Sequence, residues 1–282
     1  MISTGSISEG WQPKVVALDL DGTVVQWIDG VGQASKQISP AVIAAVRAAY
    51  DAGAAIVLCS GRSALGMINA AELLGIPDPG DRIWLVVGNG STVMKWPPLE
   101  AVHETTFDAR PVVDTILRTH PDALVAVQER GVGYRLNGHF PPGELVGEMR
   151  VVPIDELLAQ PVDRVIVRDV GASVEDFVRL AEGLGLHEIE YVVGFTAWMD
   201  IAAAGVTKAS GLAYVCQELD VDAADVLAIG DGRNDVEMLQ WAGRGVAMGN
   251  ALPEAINAAD DVTAACEEDG VAVELRRWFP PT

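Results

Sequence analysis

Apolar runs that end in polar turn residues alternate with amphipathic segments through the first part of the chain. Strands buried on both faces of a parallel sheet have this nearly continuous apolar character. Ser39-Pro40 opens the first amphipathic segment, and Gly53 and Gly75 follow the two segments, which is typical of the starts and ends of helices. The predicted strands lie at 15–18, 54–59 and 83–87, and the helices at 39–52 and 63–74. Strand and helix in alternation predict a doubly wound sheet.

The pattern changes near Pro97-Pro98, after which shorter strands predominate. Strands are predicted at 101–107, 123–129, 133–136, 162–170 and 188–193, and helices at 111–118 and 173–184. The short Gly-containing turn before the strand at 133–136 favours an antiparallel hairpin. We therefore interpret 99–193 as an α+β unit inserted into the first one.

The first pattern is predicted to resume after residue 193. Strands are expected at 198–202, 226–229 and 245–248, with helices at 208–218, up to 241 and at the end of the chain. The predicted fold class is α/β: a doubly wound (Rossmann-like) parallel-sheet core from 1–98 and 194–282, with an inserted α+β cap at 99–193. A chain of 282 residues, half of them apolar, is long enough for two compact units.

The chain carries 40 acidic and 19 basic residues, a formal net charge of −21. Such a chain repels polyanions, so we expect neither a nucleic-acid partner nor a membrane partner. We expect the protein to be a monomer or a homodimer. Three widely spaced cysteines without a CxxC pair, and a polar start without an apolar h-region, predict a cytoplasmic protein.

Four acidic residues follow two of the predicted strands. Asp19 and Asp21 end the strand at 15–18, and Asp231 and Asp235 follow the strand at 226–229. Because the carboxyl ends of parallel strands meet at one edge of a sheet, we expect these carboxylates to share a site. Crowded carboxylates need a cation, and oxygen ligands favour Mg²⁺.

Ser60 and Lys208 occupy comparable positions, one after a predicted strand and one at the start of a predicted helix. With Mg²⁺ and Lys208 the site keeps a formal charge of about −1, so a bound phosphate also needs backbone N–H groups near Ser60-Gly61 and after Asp19. Less specific interpretations are open: Ser60 as a turn residue and Asp235 as a first-turn acid favoured by the helix dipole.

Together these segments resemble the four motifs of the haloacid dehalogenase-like (HAD) phosphatase superfamily. The matching segments are Asp-Leu-Asp-Gly-Thr at 19–23, Ser-Gly-Arg at 60–62, Lys208, and Gly-Asp-Gly-Arg-Asn-Asp at 230–235. The segments 245–251 and 268–272 are similar to the Cof-like subgroup, which carries a large α/β cap between the second and third motifs. One motif alone is weak, whereas four in order are specific.

The resemblance implies a Mg²⁺-dependent phosphomonoester hydrolase. Asp19 would attack phosphorus to give an aspartyl-phosphate, and Asp21 would act as general acid and then base. The implied metal ligands are Asp19, the main-chain carbonyl of Asp21, and Asp231, with Asp235 in support. The implied phosphate- and substrate-binding residues are Ser60, Gly61, Arg62, Asn89, Lys208, Asn234 and Asn250.

Some of these roles have alternatives. Arg62 could reach the substrate or pair with an acid, and Asn-Gly turns such as Asn89-Gly90 also form without any function. The resemblance implies a small phosphorylated metabolite, above all a sugar phosphate, whose leaving group contacts 107–193. A sugar phosphomutase with the same nucleophile and a non-catalytic metabolite-binding protein are the alternatives; a phosphate-release assay with and without Mg²⁺ distinguishes them.

Overall fold

The computed structural model describes residues 10–28, 33–34, 37–129, 133–173, 175–176, 179–180, 189–193 and 198–280. The strands are β1 (Val15–Leu18), β2 (Trp27–Ile28), β3 (Gln33–Ala34), β4 (Ala55–Cys59), β5 (Ile83–Val87), β6 (Thr92–Trp96), β7 (Glu100–Glu104), β8 (Leu124–Glu129), β9 (Gly133–Leu136), β10 (Glu148–Val151), β11 (Val165–Arg168), β12 (Ile189–Val193), β13 (Trp198–Ala203), β14 (Val226–Gly230), β15 (Arg244–Ala247) and β16 (Asp261–Val262). The helices are α1 (Pro40–Asp51), α2 (Ala64–Leu74), α3 (Arg110–Thr119), α4 (Ile154–Leu157), α5 (Lys208–Leu219), α6 (Val236–Trp241), α7 (Pro253–Ala258) and α8 (Gly270–Trp278).

The first sheet has eight strands in the order β16-β15-β14-β1-β4-β5-β6-β7. All neighbours from β16 to β5 are parallel, and β6 and β7 add an antiparallel edge. The doubly wound α/β core predicted from the sequence is therefore confirmed. Its central strand β1 lies between β14 and β4, so the ends of these three strands are neighbours.

Successive residues of a strand point to opposite sides of the sheet. Since the residues of β1 are apolar on both sides, helices cover both faces of the first sheet. Val16 and Leu18 of β1 pack in one core with residues of α1, α2 and α8. Val15 and Ala17 pack in a second core with residues of α5, α6 and α7. The continuous apolar runs of the sequence thus correspond to strands buried on both faces.

The predicted helix ends are also found. Ser39 precedes α1, and its hydroxyl accepts a hydrogen bond from the backbone N–H of Val42. Gly75 ends α2 with a φ of 69°, a left-handed conformation that glycine adopts without strain. At α5 the hydroxyl of Thr207 accepts from the backbone N–H of Ser210 and so fixes the helix start at Lys208.

The second sheet has six strands in the order β10-β9-β8-β11-β13-β12. The β8–β9 pair is antiparallel, as predicted, and β9–β10 is the parallel pair. One face packs on α3 and α4 through residues such as Ile116 and Leu157. The opposite face carries the cluster of Tyr134, Phe140 and Ile166.

Two strands belong to a different sheet from the one predicted. β13 was expected to resume the first pattern, but it pairs with β11 in the second sheet. β7, expected in the insert, forms the outer edge of the first sheet beside β6, a strand the sequence did not predict. Apolar patterning predicts that a strand exists but does not identify its partner. The chain leaves the first sheet after Glu104 and returns to it after Ala203.

Other predicted elements are found in part. The polar stretch after β1 contains the antiparallel β2–β3 pair, and most of the helix expected at 173–184 lies outside the described residues. Within the described ranges, every helix is too short or too polar to cross a membrane.

Candidate active site

Asp19, Ser60 and Asp231 lie together at the carboxyl edge of the first sheet. They directly follow β1, β4 and β14, and each side chain is buried. The β1 register aligns Leu18 with Leu58 on one side and with Ile229 on the other. The parallel pairing therefore brings residues more than 200 positions apart to one place, as the sequence predicted.

Lys208 supplies a buried positive charge to this edge. Its Nζ lies 2.5 Å from Oδ1 of Asp19 and 2.6 Å from Oδ1 of Asp235, and the lysine side chain is fully buried. Burial alone lowers the pKa of Lys208, but the charges of Asp19 and Asp235 raise it above the ordinary value. Lys208 is therefore an ammonium that joins the first strand to the loop after β14.

Asp235 holds that loop in place. Its Oδ2 accepts hydrogen bonds from the backbone N–H groups of Asp231 (3.0 Å) and Gly232 (2.9 Å), while Oδ1 is paired with Lys208. Both carboxylate oxygens thus already have donors. The side chain fixes the direction of the Asp231 backbone and of the Lys208 ammonium at the same time.

Asp231 lies against the loop after β1. The hydroxyl of Thr23 donates to its Oδ1 at 3.1 Å. Gly22 has a φ of +85°, and a Cβ at this position would lie 2.3 Å from Oδ2 of Asp231. Only glycine combines this conformation with so close an approach.

The carboxylates of Asp19, Asp231 and Asp235 form one acidic cluster. Each offers an oxygen, and these oxygens lie within 4.8 Å of one another. Burial and the charge of Asp235 raise the pKa of Asp19 to about 7, although Lys208 opposes this. Burial and the charge of Asp19 raise the pKa of Asp231 to about 9. One ammonium therefore does not neutralise the cluster, and a divalent cation with oxygen ligands fits it.

Asp21 lies outside this cluster of three and is paired with Arg62. The guanidinium donates from Nε to Oδ2 at 2.8 Å and from Nη2 to Oδ1 at 2.5 Å. Of the two interpretations of Arg62 that the sequence allowed, the structure shows the ion pair with an acid. The side chains of both residues remain about one quarter exposed, so the pair faces the open side of the site.

The loop that contains Ser60 and Gly61 lies beside the turn around Asn89. The backbone N–H of Asn89 donates to the carbonyl of Ser60, and the backbone N–H of Arg62 donates to the hydroxyl of Ser60. Asn234 donates from Nδ2 to Oδ1 of Asn89 at 2.9 Å. These predicted phosphate-binding groups are thus brought together.

Asn250 connects loops rather than extending into this group. Its Nδ2 donates to the carbonyl of Gly22 at 2.9 Å, and its Oδ1 accepts from the backbone N–H of Cys266 at 2.8 Å. The Asn250 amide therefore connects the turn at Gly22 with the backbone at Cys266.

Sequence reasoning missed Thr23, Arg164 and Asp200 as residues of this site. Asp200 lies on β13, and its carboxylate accepts from Arg164 and from Asn89. The available signal was an acid on a short apolar strand that closely precedes Lys208. Asp200 was not connected with the site because β13 was predicted in the first sheet, whereas it lies in the second.

The chain is similar in sequence to known hydrolases and phosphatases. The family model for haloacid dehalogenase-like hydrolases matches residues 16–275. A phosphoglycolate phosphatase of Haloarcula marismortui is 30% identical over 256 residues, covering 90% of this chain and 92% of that protein. The 5-amino-6-(5-phospho-D-ribitylamino)uracil phosphatase YcsE of Bacillus subtilis is 25% identical and covers 94% and 95% of the two chains.

A solved structure shares the whole fold. A haloacid dehalogenase-like hydrolase from Bacteroides thetaiotaomicron superposes with a TM-score of 0.75 at 24% identity, covering 95% of this chain and 100% of that one. At this identity the likeness shows the fold.

Proposed function

The chain belongs to the haloacid dehalogenase-like hydrolase family, and we propose that it is a Mg²⁺-dependent phosphatase acting on a small phosphorylated metabolite. The observation that carries the proposal is the buried cluster of Asp19, Asp231 and Asp235 around the Lys208 ammonium. The negative charge of this site favours a metal ion. Asp19, the proposed nucleophile, directly follows β1, the strand between β14 and β4.

Asp19, Asp231 and the main-chain carbonyl of Asp21 would hold the ion, and Asp235 would support it through the loop that it fixes. The donor set is made of oxygens, which suits Mg²⁺. When bound, the ion offsets the negative charge of the carboxylates and of the phosphoryl oxygens.

Asp19 is the proposed nucleophile. Lys208 at 2.5 Å favours its ionised form, which has the free electron pair that the attack needs. A bond forms between Asp19 and phosphorus as the ester P–O bond breaks, giving an aspartyl-phosphate and an alkoxide leaving group. Ser60, Lys208 and Asn234 are proposed to donate to the phosphoryl oxygens, where charge is spread in the transition state.

Asp21 is the proposed general acid and base. Asp21 takes up a proton from solvent when it leaves Arg62, and gives that proton to the leaving oxygen. It then takes one from the water that attacks the aspartyl-phosphate, which releases inorganic phosphate, restores Asp19 and leaves Asp21 protonated for the next cycle. Both carboxylate oxygens of Asp21 accept from Arg62, so Asp21 has to exchange this contact for one with the substrate. Arg62 is then available to the substrate.

The unit between Glu104 and Lys208, built on the second sheet, is proposed to be the cap that recognises the leaving group. Its Asp200 reaches Asn89 in the first unit, so the second sheet borders the site. Two relatives are named for phosphoglycolate and for a phosphorylated ribitylaminouracil. The proposed substrate class is therefore a small phosphomonoester, sugar phosphates included.

The test is phosphate release from a panel of phosphorylated metabolites, with Mg²⁺ and with EDTA. We expect Mg²⁺-dependent release by the natural protein, and none by the variant Asp19→Asn while its circular dichroism and melting temperature remain those of a folded protein. Release by Asp19→Asn, or release that EDTA leaves unchanged, would contradict the mechanism. Phosphate transfer between sugar positions without release would indicate a mutase instead.

A further inference from the structure

A chain of hydrogen bonds runs from the second sheet into the site. Oδ2 of Asp200 accepts from Nδ2 of Asn89 at 3.2 Å. Oδ1 of Asn89 accepts from Nδ2 of Asn234 at 2.9 Å. Two side-chain amides are therefore connected in series to one carboxylate.

Asp200 itself is held firmly. Its Oδ1 accepts from Nε (3.0 Å) and Nη2 (2.5 Å) of Arg164 and from Nε1 of Trp198 (3.2 Å). The Arg164 and Asp200 side chains are only 3% and 14% exposed, so water does not compete strongly for the pair. This leaves Oδ2 of Asp200 directed at Asn89.

A carboxylate in an ion pair only accepts hydrogen bonds, whereas an amide has a donating end and an accepting end. The NH₂ of Asn89 must therefore face Asp200, and its carbonyl oxygen must face Asn234. That oxygen in turn requires the NH₂ of Asn234. The direction of both amides follows from the charge of Asp200.

The two amides lie against the phosphate-binding loops. Asn89 adopts a φ of 58°, and its amide contacts Gly61 so closely that a Cβ there would lie 3.2 Å from both the nitrogen and the oxygen. Asn234 lies in the loop that carries Asp231 and Asp235. An amide NH₂ has two hydrogens, so each amide keeps one N–H for another acceptor.

We propose that Asp200 is a positioning residue that sets the direction of the Asn89 and Asn234 amides, so that their N–H ends serve the phosphoryl group when the second sheet is docked. The inference rests on the proposed phosphatase function. A reversed amide would offer a carbonyl oxygen, which repels an anion. The contact between Asp200 of the second sheet and Asn89 thereby also fixes the orientation of the N–H groups that would bind the phosphoryl oxygens.

The first experiment measures the effect of Asp200→Asn in the natural protein and in the variant Asn89→Gly. Asparagine at position 200 can present either NH₂ or oxygen to Asn89, so it no longer imposes one orientation on the Asn89 amide. We expect kcat/KM to fall about tenfold in the natural background, the loss typical of one hydrogen bond to a charged group. Asn89→Gly removes the amide while tolerating the positive φ. In that background Asp200→Asn should change kcat/KM less than about twofold, because the amide through which Asp200 acts is gone.

The matched control is Asp163→Asn. Asp163 is also buried and accepts from Thr92 across the same junction at 3.0 Å, but among the described residues it makes no hydrogen bond to either amide. We expect its kcat/KM to stay within about twofold of the natural protein. An equal loss from Asp200→Asn in both backgrounds, or an equal loss from Asp163→Asn, would overturn the positioning role.

A binding measurement separates this inference from the proposed function. Calorimetry with inorganic phosphate in the presence of Mg²⁺ reports the phosphate-binding edge without turnover. We expect Asp200→Asn to weaken phosphate binding in the natural background and to leave it unchanged in the Asn89→Gly background. If the natural protein releases no phosphate from any substrate, the phosphatase proposal fails. Unchanged phosphate affinity in Asp200→Asn would overturn the positioning role itself.

Discussion

Lys208 and Asp235 form a fully buried ion pair in which Nζ and Oδ1 are 2.6 Å apart. The same ammonium contacts Asp19 at 2.5 Å, so one positive charge serves two carboxylates, one directly after β1 and one in the turn after β14. Removing one partner of a buried pair leaves the other charges without compensation. Lys208 therefore stabilises this edge of the sheet as well as having a proposed role in phosphate binding.

We expect Lys208→Met to lower the free energy of unfolding by about 3–5 kcal/mol in the absence of metal, because two buried carboxylates lose their cation. Urea denaturation followed by circular dichroism measures the change. Lys14→Met is the control, since its side chain is 64% exposed in a surface ion pair that contributes little. Equal unfolding midpoints for the two variants would contradict the structural role of Lys208.

Asp21→Asn should separate leaving-group protonation from the attack on phosphorus. With an alkyl phosphate the leaving oxygen needs a proton, and we expect kcat to fall by on the order of 10²–10⁴, the usual contribution of general acid–base catalysis. With p-nitrophenyl phosphate, whose leaving group departs as a stable anion, the formation of the aspartyl-phosphate should be much less affected. Burst kinetics measure that step separately from hydrolysis. Equal losses in the first step with both substrates would exclude Asp21 as the acid.

The metal-free protein should become less stable as the pH rises. Folded Asp231, with its pKa raised to about 9, keeps its proton up to that pH, while the unfolded residue loses it near its ordinary value of 3.8. The folded state therefore binds more protons between these values, and this stabilisation is fully present below pH 3.8 and lost through about pH 9. We expect the melting temperature in EDTA to fall between about pH 5.5 and pH 9.

Mg²⁺ should reverse that loss, and its stabilising effect should be larger at the higher pH because the ion binds the ionised carboxylates. Asp231→Asn has no proton to lose at this position, so its melting temperature in EDTA should depend less on pH. A natural protein whose melting temperature rises with pH in EDTA would contradict the assignment.

Gly22→Ala should impair metal binding through Asp231. A Cβ on Gly22 would lie 2.3 Å from Oδ2 of Asp231, which forces the carboxylate to move. We expect the Mg²⁺ concentration for half-maximal activity to rise about tenfold, the effect of disturbing a ligand's surroundings. Gly53→Ala is the control: its φ of +91° is similarly strained, but no atom lies within 4 Å of the added Cβ. Gly53→Ala thus reports the cost of the strained backbone alone, and a similar metal dependence for both variants would contradict the prediction.

The sequence was sufficient for the parallel strands β1, β4, β5, β14 and β15 of the first sheet and for the acids at their carboxyl ends. Apolar runs such as Val15–Leu18 and Val226–Gly230 are buried on both faces, and parallel pairing then requires Asp19 and Asp231 to meet. The start of α5 at Lys208 followed from local residues as well. These features depend on short-range patterns or on one rule of sheet geometry.

Other features depend on tertiary contacts that no local pattern encodes. Arg62 had two plausible partners, and only the packing of the loop after β4 selects Asp21. The strand β13 was recognised, but its pairing with β11 was not, so Asp200 was not connected to Asn89. A polar side chain on a strand has no evident role until the neighbouring strands are known.

The return from the second sheet to Lys208 is short: β13 ends at Ala203 and α5 begins at Lys208. Any chimera that exchanges the second sheet for that of another protein must keep this joint at its present length. An insertion within 204–207 would change the position of the exchanged sheet relative to α5, which carries Lys208. The outer strand β10 is separated from β13 by three strands, so a changed sequence there does not alter this connection. If the second sheet recognises the leaving group, as proposed, that preference is best redesigned from the outer strands inward, with 204–207 left intact.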